Sequence, residues 1–184
     1  MTRQSRNSPD LPTILHVIDT GGPGGAETIF ARLSADIRDE GFRSVSVVSR
    51  RGWLADHLND LGLAPVILNS KGSVQVSYLR GLYRLIKERS VRCVVAHLYG
   101  AGLYGAMAGF LARIPVIVVL HGQSDVSGSQ RLSAIKHFLL RRCATRVVFV
   151  SDALKADLQP RLGLRDSQCE VIPNGVDMSR FESG

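Results

Sequence analysis

Hydrophobic residues along the chain follow two patterns, short apolar runs and longer segments with apolar residues at helical spacing. The apolar runs predict buried strands at 13–18, 43–48, 65–68, 92–97, 115–120, 146–150 and 170–172. The helical spacing predicts helices at 25–40, 53–61, 76–89, 100–113 and 130–143, and a last helix after Ser151. Small residues dominate the segment 100–113, which favours a close approach to the sheet. Strands separated by helices imply an α/β fold with a doubly wound, mostly parallel, Rossmann-like sheet.

The most informative motif lies between the first strand and the first helix, where residues 21–25 read Gly-Gly-Pro-Gly-Gly. These glycines leave backbone N–H groups uncovered by side chains, and the following helix directs its positive dipole end toward them. Such a site binds anions, and in α/β proteins the anion is usually a phosphate or diphosphate. A tight turn needed only for packing would explain the same glycines without a ligand.

The spacing of the glycines argues against two familiar nucleotide sites. A dinucleotide fingerprint would need a small residue in place of Glu27 and an acidic residue after the second strand, where Arg50 and Arg51 stand instead. A P-loop would need to end in Gly-Lys-Ser/Thr, which this segment does not. NADP stays open, because either arginine could meet its 2′-phosphate.

Length and composition describe one domain with an ordinary core. The 184 residues are 45% hydrophobic, and no apolar run reaches the roughly 18 residues of a membrane-spanning helix. The polar N-terminus lacks a signal-peptide pattern, and we expect a disordered tail at 1–12 before a domain at 13–172. The three cysteines are widely spaced, which indicates reduced thiols, a cytoplasmic location and no metal site.

The net charge of +7 at pH 7 favours an anionic partner. Basic residues concentrate on a helical face with Arg80, Arg84 and Lys87, and in the segment 131–146. A basic stripe is usually a solvated helix face, and docking to an anionic membrane surface is the functional alternative. Interleaved aromatic residues, zinc-ligand spacing and RNA-binding motifs do not accompany the charge, so nucleic acid is not expected as a partner.

Polar residues follow most of the predicted strands and converge on one edge of the sheet. Open α/β sheets bind ligands beyond the carboxyl ends of their strands. The residues in these positions are Asp19, Ser49, Arg50, His97, His121, Gly122, Ser151, Asp152 and 173–175. A candidate site is therefore predicted along this rim. Buried, hydrogen-bonded side chains are the structural alternative for the two histidines, and a helix N-cap is the favoured interpretation of Ser151.

Five segments, in this order, resemble the N-terminal half of the retaining glycosyltransferases of family 4. They are Gly-Gly-Pro-Gly-Gly-Ala-Glu at 21–27, Val-Val-Ala-His-Leu at 94–98, Pro-Val-Ile-Val-Val-Leu-His-Gly at 115–122, Val-Phe-Val-Ser at 148–151, and Val-Ile-Pro-Asn-Gly-Val-Asp-Met-Ser-Arg-Phe at 171–181. The resemblance implies the N-terminal half of a GT-B architecture with two Rossmann-like domains. In that family the N-terminal domain mainly holds the acceptor and the C-terminal domain holds the nucleotide-sugar. Transfer takes place between the domains, with retention and usually without a metal.

The resemblance also implies roles for individual residues. Gly22, Gly24 and Gly25 would meet the donor diphosphate through backbone N–H groups, where a helix N-terminus stabilises the charge of the leaving group. His121 matches the family's catalytic-site histidine near the transferred sugar. The remaining matched positions lie on the acceptor side and in the interdomain segment: His97, Gly122 and Arg50, and Asn174 and Gly175. No cofactor is implied, because the nucleotide-diphosphate sugar is a co-substrate.

The chain ends at Gly184, before the paired glutamates of the family's donor domain. We therefore expect 173–184 to begin the crossover to a C-terminal domain that supplies the nucleotide-sugar, and this domain to bind a glycan or lipid-linked acceptor and to be inactive alone. An NADP-dependent oxidoreductase or epimerase and a non-catalytic membrane-docking module stay open as alternatives. A peripheral position at the inner face of the cell membrane is compatible with the expected cytoplasmic location.

Overall fold

A computed structural model of the chain describes residues 11–69, 75–123 and 133–175. Its strands are β1 (Thr13–Ile18), β2 (Arg43–Val48), β3 (Val66–Ile67), β4 (Val91–His97), β5 (Val116–Leu120), β6 (Arg146–Phe149) and β7 (Cys169–Val171). Its helices are α1 (Gly25–Asp36), α2 (Trp53–Asp60), α3 (Val76–Glu88), α4 (Tyr99–Ala112), α5 (Ser133–Cys143) and α6 (Asp152–Leu162), with a 3₁₀ turn at Asp166–Gln168.

The strands form one sheet in the order β3-β2-β1-β4-β5-β6-β7, and every pair of neighbours is parallel. This arrangement confirms the predicted doubly wound, Rossmann-like α/β fold. Parallel neighbours need crossover connections, and the helices between successive strands supply them. Within the described ranges, no helix combines the length and the apolar character needed to cross a membrane.

The helices cover the two faces of the sheet unequally. Residues of α1 and α2, among them Phe30 and Leu54, pack against Ile18 of β1 and Val48 of β2. A larger cluster joins α3, α4, α5 and α6 to the other face of the sheet. Because β1 is buried along its whole length, the loop that follows it starts from a fixed point.

Most predicted boundaries lie within one residue of the observed ones, but the end of the first helix was wrong. We predicted a helix to Glu40, and α1 ends at Asp36. After Asp36 the backbone bonds tighten to a three-residue spacing, from Arg38 N–H to Ala35 O and from Asp39 N–H to Asp36 O. The acidic residues at this end oppose the negative end of the helix dipole, which disfavours a longer helix.

Three predicted segments fall partly outside the described residues. The start of the helix predicted at 130–143 lies there, and so do residues 1–10 of the predicted tail and 176–184 of the predicted crossover. Pro12, the last residue of the predicted tail, is described, and its carbonyl O accepts a hydrogen bond of 2.9 Å from Arg43 N–H, which links the start of β1 to β2.

α4 packs so closely against β5 that two of its glycines leave no space for a side chain. A Cβ on Gly102 would stand 2.5 Å from Val118 Cγ1, and a Cβ on Gly109 would collide with Val116. Both valines are fully buried in the core and cannot move into solvent. The close approach predicted from the small residues of this helix is confirmed.

Gly102→Ala is expected to lower the free energy of unfolding by about 1–2 kcal/mol. Overpacking a core costs about 1–3 kcal/mol, and the better helix propensity of alanine offsets up to about 1 kcal/mol. Urea denaturation measures the change. Gly22→Ala is the matched control, since a Cβ there would meet no atom within 4 Å. Equal stability of the two variants would contradict the observed packing.

Candidate functional site

The candidate site lies where the chain reverses its direction of winding across the sheet. From β1 the chain moves outward to β2 and β3, then returns through α3 to β4 on the other side of β1. The carboxyl ends of β1 and β4 therefore flank the switch point, the usual ligand crevice of open α/β sheets. The glycine segment 21–25 follows β1, and His97 ends β4 opposite Ile18 in the register.

Two histidines meet beside this crevice. His97 Nδ1 lies 3.0 Å from His121 Nε2, and the two ring planes differ by 19°. His97 is fully buried, whereas His121, which directly follows β5, is half-buried. The pairing of β4 with β5 places His97 opposite Val119, two residues before His121, so the sheet itself holds the pair together.

A third histidine extends the pair into the protein interior. The ring of Phe30, from α1, stands edge-on to both His97 and His16, with ring centroids 5.3 Å and 6.3 Å apart. His16 lies in the middle of β1 with 1% of its surface exposed, and burial lowers its pKa to about 4. The sequence interpretation did not single out His16, because a histidine inside an apolar run carries no positional signal of its own.

His97 is neutral at pH 7. Burial lowers its pKa well below the usual value, and the neighbouring His121 and His16 rings lower it further. One proton is therefore shared between His97 Nδ1 and His121 Nε2, and the direction of that hydrogen bond fixes the tautomer of both rings.

The two rings differ in burial, and we propose the direction from that difference. His97 Nε2 and His121 Nδ1 are both buried, and one of them carries the second proton whichever ring donates. A proton on His97 Nε2 would lie in a fully buried ring, whereas His121 is half-buried and borders the crevice, where a ligand could accept from Nδ1. With the proton on Nδ1, His97 donates to His121 Nε2. His121 in its neutral form then carries its own proton on Nδ1.

Ring nitrogen correlations in ¹H–¹⁵N NMR spectra at pH 7 test this assignment. We expect His97 to be protonated at Nδ1 and to keep that state when the pH is lowered to 6. Spectra of His57→Gln and His137→Gln variants assign the remaining surface rings. A proton on His97 Nε2 would contradict the proposed direction of the hydrogen bond.

The glycine segment offers open backbone at two of its three predicted positions. A Cβ added to Gly22 or Gly25 would meet no atom within 4 Å. Neither residue has the positive φ that favours glycine, so backbone conformation does not demand glycine here. At Gly24, the N-cap of α1, a Cβ would collide with the carboxylate of Glu27, which folds back over the start of the helix. A ligand can therefore approach the backbone of Gly22 and Gly25 directly, and that of Gly24 once the Glu27 side chain moves.

Arg50 contributes a positive charge to the same loop. A Cβ on Gly21 would lie 3.0 Å from Arg50 Cγ and 3.2 Å from its Nε, so the arginine side chain runs alongside the glycine segment. Leu54 N–H donates to Gly21 O at 3.2 Å, which ties the start of α2 to the loop. The structure thus places a guanidinium next to open backbone at a helix N-terminus, and both attract anions.

The N-terminus of α4, the other helix that begins at the crevice, has a carboxylate beside it. A Cβ on Gly100 would collide with Asp19 Oδ2, so the Asp19 side chain lies against the first turn of α4. Negative charge near a helix N-terminus is stabilising. Asp19 also contributes, after burial, to raising the pKa of Tyr78. Both helix ends at the crevice therefore carry a carboxylate, Asp19 at α4 and Glu27 at α1, and at α1 the Arg50 side chain also lies beside the glycine backbone.

The other predicted rim residues do not all join this cluster. Gly122 lies half-exposed next to His121, whereas Asn174 and Gly175 follow β7 and are exposed. In the sheet, β5 and β6 lie between β4 and β7, so Asn174, which follows β7, lies apart from the histidine pair. Likewise, β4 and β5 lie between β6 and β1, so residues that follow β6 lie apart from the glycine loop. Ser151 Oγ accepts a hydrogen bond of 3.2 Å from Leu154 N–H, which confirms its interpretation as the N-cap of α6. In the described ranges, no cluster of three or more His, Cys, Asp or Glu residues could hold a metal ion.

Comparison with known proteins gives a family match and a curated relative among the glycosyltransferases. The family model of Glycosyltransferase Family 4 matches residues 23–180. The curated UDP-Gal:alpha-D-GlcNAc-diphosphoundecaprenol alpha-1,3-galactosyltransferase of Escherichia coli is 26% identical over 144 residues, which cover 73% of this chain and 37% of that enzyme.

Solved structures share the fold. HepE of Anabaena, crystallised with UDP-glucose, superposes with a TM-score of 0.75 at 23% identity and covers 91% of this chain. A glycosyltransferase of Rickettsia africae superposes with a TM-score of 0.76 at 18% identity and covers 94%. In both comparisons this chain spans 45% of the solved protein, which is less than half its length.

The matched family region includes most of the glycine segment, both histidines of the pair and the segment after β7. The observed sheet is the Rossmann-like fold of a GT-B N-terminal half, as its structural neighbours show. The chain therefore belongs to glycosyltransferase family 4, of which it is an N-terminal domain.

Proposed function

We propose that this domain is the acceptor-binding half of a glycosyltransferase that moves a sugar from a nucleotide-diphosphate sugar to a lipid-linked or other glycan acceptor, with retention of configuration. The observation that carries the proposal is the His97–His121 pair at the switch point, beside the open glycine backbone at the start of α1. Family membership supports the reaction type.

The crevice suits a leaving diphosphate on one side. Transfer of the sugar leaves negative charge on the nucleotide diphosphate, and preorganised N–H donors stabilise it. Gly22, Gly25 and the first turn of α1 offer such donors, and the Arg50 guanidinium adds a positive charge beside them. HepE binds UDP-glucose, which supports a nucleotide-sugar as the donor. The donor itself would be held mainly by a C-terminal domain.

The histidine pair suits the acceptor and the transferred sugar on the other side. With His97 donating to Nε2, the neutral His121 ring can donate from Nδ1 to a sugar oxygen. Gly122, which directly follows His121, has no side chain of its own beside this ring. The Escherichia coli relative transfers galactose to a sugar on a diphosphoundecaprenol carrier, which supports a lipid-linked acceptor. A cytoplasmic enzyme working at the inner face of the membrane could reach such an acceptor.

NADP-dependent chemistry is the second candidate, because Arg50 runs beside the glycine segment, where an arginine could meet a 2′-phosphate. The Glu27 carboxylate over Gly24 would repel a dinucleotide pyrophosphate and a nucleotide-sugar diphosphate alike. The family match favours the nucleotide-sugar, and NADPH serves as the comparison ligand in binding experiments.

A transfer assay with two proteins tests the proposal. One is this chain alone, and the other is this chain joined after Gly175 to the donor-binding half of the Escherichia coli galactosyltransferase. Both are incubated with UDP-galactose and a panel of sugar-diphosphoundecaprenols, and mass spectrometry detects products. We expect the joined protein to transfer galactose and the chain alone to transfer none.

Calorimetry with UDP shows whether the joined protein has a working donor half. A joined protein that binds UDP but transfers to no acceptor of the panel would contradict the proposed acceptor role. Transfer by the chain alone would contradict the proposed division of labour between two domains.

A further inference from the structure

The start of α2 presents a large aromatic side chain to solvent. Trp53, the single tryptophan of the sequence, is 41% exposed. Leu54 and Leu58 of the same helix are fully buried and attach α2 to the sheet, so the indole is not what holds the helix in place. One exposed apolar residue is common on protein surfaces and carries no function by itself. The orientation and the position of Trp53 are what distinguish it.

A second ring holds the indole in one orientation. His57 stacks on Trp53, with ring centroids 5.1 Å apart and ring planes that differ by 20°. Residues four apart are neighbours on a helix surface, and helical side chains lean toward the N-terminus of their helix. His57 therefore covers the face of the indole that is turned toward the end of α2. The opposite face is turned toward the start of α2.

The start of α2 adjoins the candidate crevice. Leu54 N–H donates to Gly21 O at 3.2 Å, and a Cβ on Gly52 would lie 3.5 Å from the same oxygen. The Arg50 side chain runs along Gly21 on this side of the loop. Trp53 directly follows Gly52 and precedes Leu54, so its indole extends the wall of the crevice that the glycine segment begins.

The polar groups next to the indole suit a carbohydrate. Asp56 and Asp60 are exposed and lie on the same side of α2 as Trp53 and His57, at a spacing of three, four and seven residues. A sugar ring has an apolar face of C–H groups that can lie on an aromatic ring, and hydroxyl groups at its edge that can donate to carboxylates. The two negative charges disfavour a phosphate at this position. A neutral sugar ring fits this surface best.

We propose that Trp53, supported by His57, is a stacking platform for a neutral sugar ring of the acceptor glycan. This proposal deepens the proposed function and rests on it, because the acceptor is the glycan that this domain would bind. An aromatic ring that is already fixed by a neighbour loses little conformational freedom when a ligand packs on it. Asp56 beside the indole would accept hydrogen bonds from hydroxyl groups of the stacked sugar.

The platform and the histidine pair are too far apart to hold the same sugar ring. His121 follows β5 and Trp53 closely follows β2, with β4 and β1 between these strands. Three strand spacings correspond to about 14 Å, which exceeds the width of one pyranose ring. The ring on Trp53 is therefore a sugar further along the acceptor than the ring beside His121. An acceptor with several sugars gains a contact that a one-sugar acceptor cannot make.

Fluorescence of this chain tests the proposal directly, because all tryptophan emission comes from Trp53. The ligands are UDP and water-soluble diphosphates with a short isoprenoid chain that carry N-acetylglucosamine alone or extended by two glucose, galactose or N-acetylglucosamine units. We expect a three-sugar ligand to shift the emission and to protect the indole from quenching by acrylamide. The one-sugar ligand and UDP should change neither. An emission change with UDP would indicate stacking of the nucleobase instead and would overturn the proposal.

Transfer by the joined two-domain protein tests the same platform in the reaction. Trp53→Ala should raise KM for the three-sugar acceptor about tenfold, the effect of losing about 1.4 kcal/mol of aromatic contact, and leave kcat unchanged. Its kinetics with the one-sugar acceptor should stay within about twofold, as for an ordinary surface substitution. Trp53→Tyr keeps an aromatic face and should restore most of the affinity. A merely structural role would weaken transfer to both acceptors equally.

Phe110→Ala is the matched control variant. Phe110 is an aromatic residue of similar exposure, 46%, but lies near the end of α4, whereas the start of α4 adjoins His97. We expect this variant to transfer to both acceptors within about twofold of the unchanged protein. Circular dichroism verifies that each variant is folded.

The outcomes separate this proposal from the proposed function. Tryptophan emission that no three-sugar ligand changes would overturn the platform, and so would equal losses with both acceptors in Trp53→Ala. NMR shifts of His97 and His121 with the same ligands would show that the proposed acceptor site survives that result. Absence of transfer to every acceptor would contradict the proposed function, while the fluorescence of this chain alone still decides the role of Trp53.

Discussion

Lowering the pH from 7 to 4 is expected to reduce the free energy of unfolding by about 3 kcal/mol through the protonation of His16 alone. Its pKa falls from 6.5 to about 4 because the ring is buried. Each unit of pKa difference between the folded and unfolded chain corresponds to about 1.4 kcal/mol. As the pH falls below 6.5, the unfolded chain takes up this proton first, so stability is progressively lost down to about pH 4. The lowered pKa of His97 adds to the loss.

The test is urea denaturation of the unchanged chain and of His16→Leu, each at pH 7 and pH 4.5. Leucine has a similar volume and no buried unsatisfied nitrogen, so the variant should match the unchanged chain at pH 7 within about 1 kcal/mol. Its stability should fall much less on acidification.

Ser46→Ala is the matched control for this experiment. Ser46 stands beside His16 in the register of β1 and β2, is equally buried, and has no titratable group. Its variant should keep the full pH dependence of the unchanged chain. A His16→Leu variant with an undiminished pH dependence would show that other groups cause the acid sensitivity.

His121→Ala is expected to lower sugar transfer by about 10²–10³-fold in the joined two-domain protein. Loss of one preorganised hydrogen-bond donor at a reacting centre typically has this effect. UDP affinity should stay unchanged, because the donor is held mainly by the other domain. The decrease should therefore appear in kcat rather than in the binding of UDP.

Steady-state kinetics with a water-soluble acceptor measure this change. Ser151→Ala serves as control, because Ser151 also follows a strand at the rim but caps α6 instead of facing the crevice. It should lower stability by about 1 kcal/mol and leave transfer intact. Unchanged transfer by His121→Ala would remove His121 from the proposed mechanism.

The sequence predicted the fold well because buried parallel strands are continuous apolar runs. Seven such runs, each separated by a helical pattern, leave few topologies other than a doubly wound sheet. The end of α1 was harder to predict, because the apolar spacing continues to Ile37 while the acidic residues after it disfavour the helix. Hydrophobic periodicity does not include that electrostatic contribution.

The sequence predicted that the candidate site lies along one edge of the sheet, but not which of its residues are neighbours. Strand ends identify residues such as His97, His121 and Asn174, but not which of them are neighbours. That depends on strand order, which places β4 beside both β1 and β5 and places β7 two strands beyond β5. The orientation of the side chains also determines which groups lie at the glycine segment and at the start of α4. Nothing in the local sequence shows that Glu27 folds over Gly24 or that Asp19 lies against α4.

Amide NMR mapping of ligand binding to this chain tests the central claim most directly. The ligands are a water-soluble sugar-diphosphate with a short isoprenoid chain, UDP and NADPH. We expect the sugar-diphosphate to shift the signals of His97 and His121, UDP at high concentration to shift those of Gly22, Gly25 and Arg50, and NADPH to shift none of them. Tight NADPH binding at these residues, or binding of the sugar-diphosphate only at other surfaces, would contradict an acceptor site at this crevice.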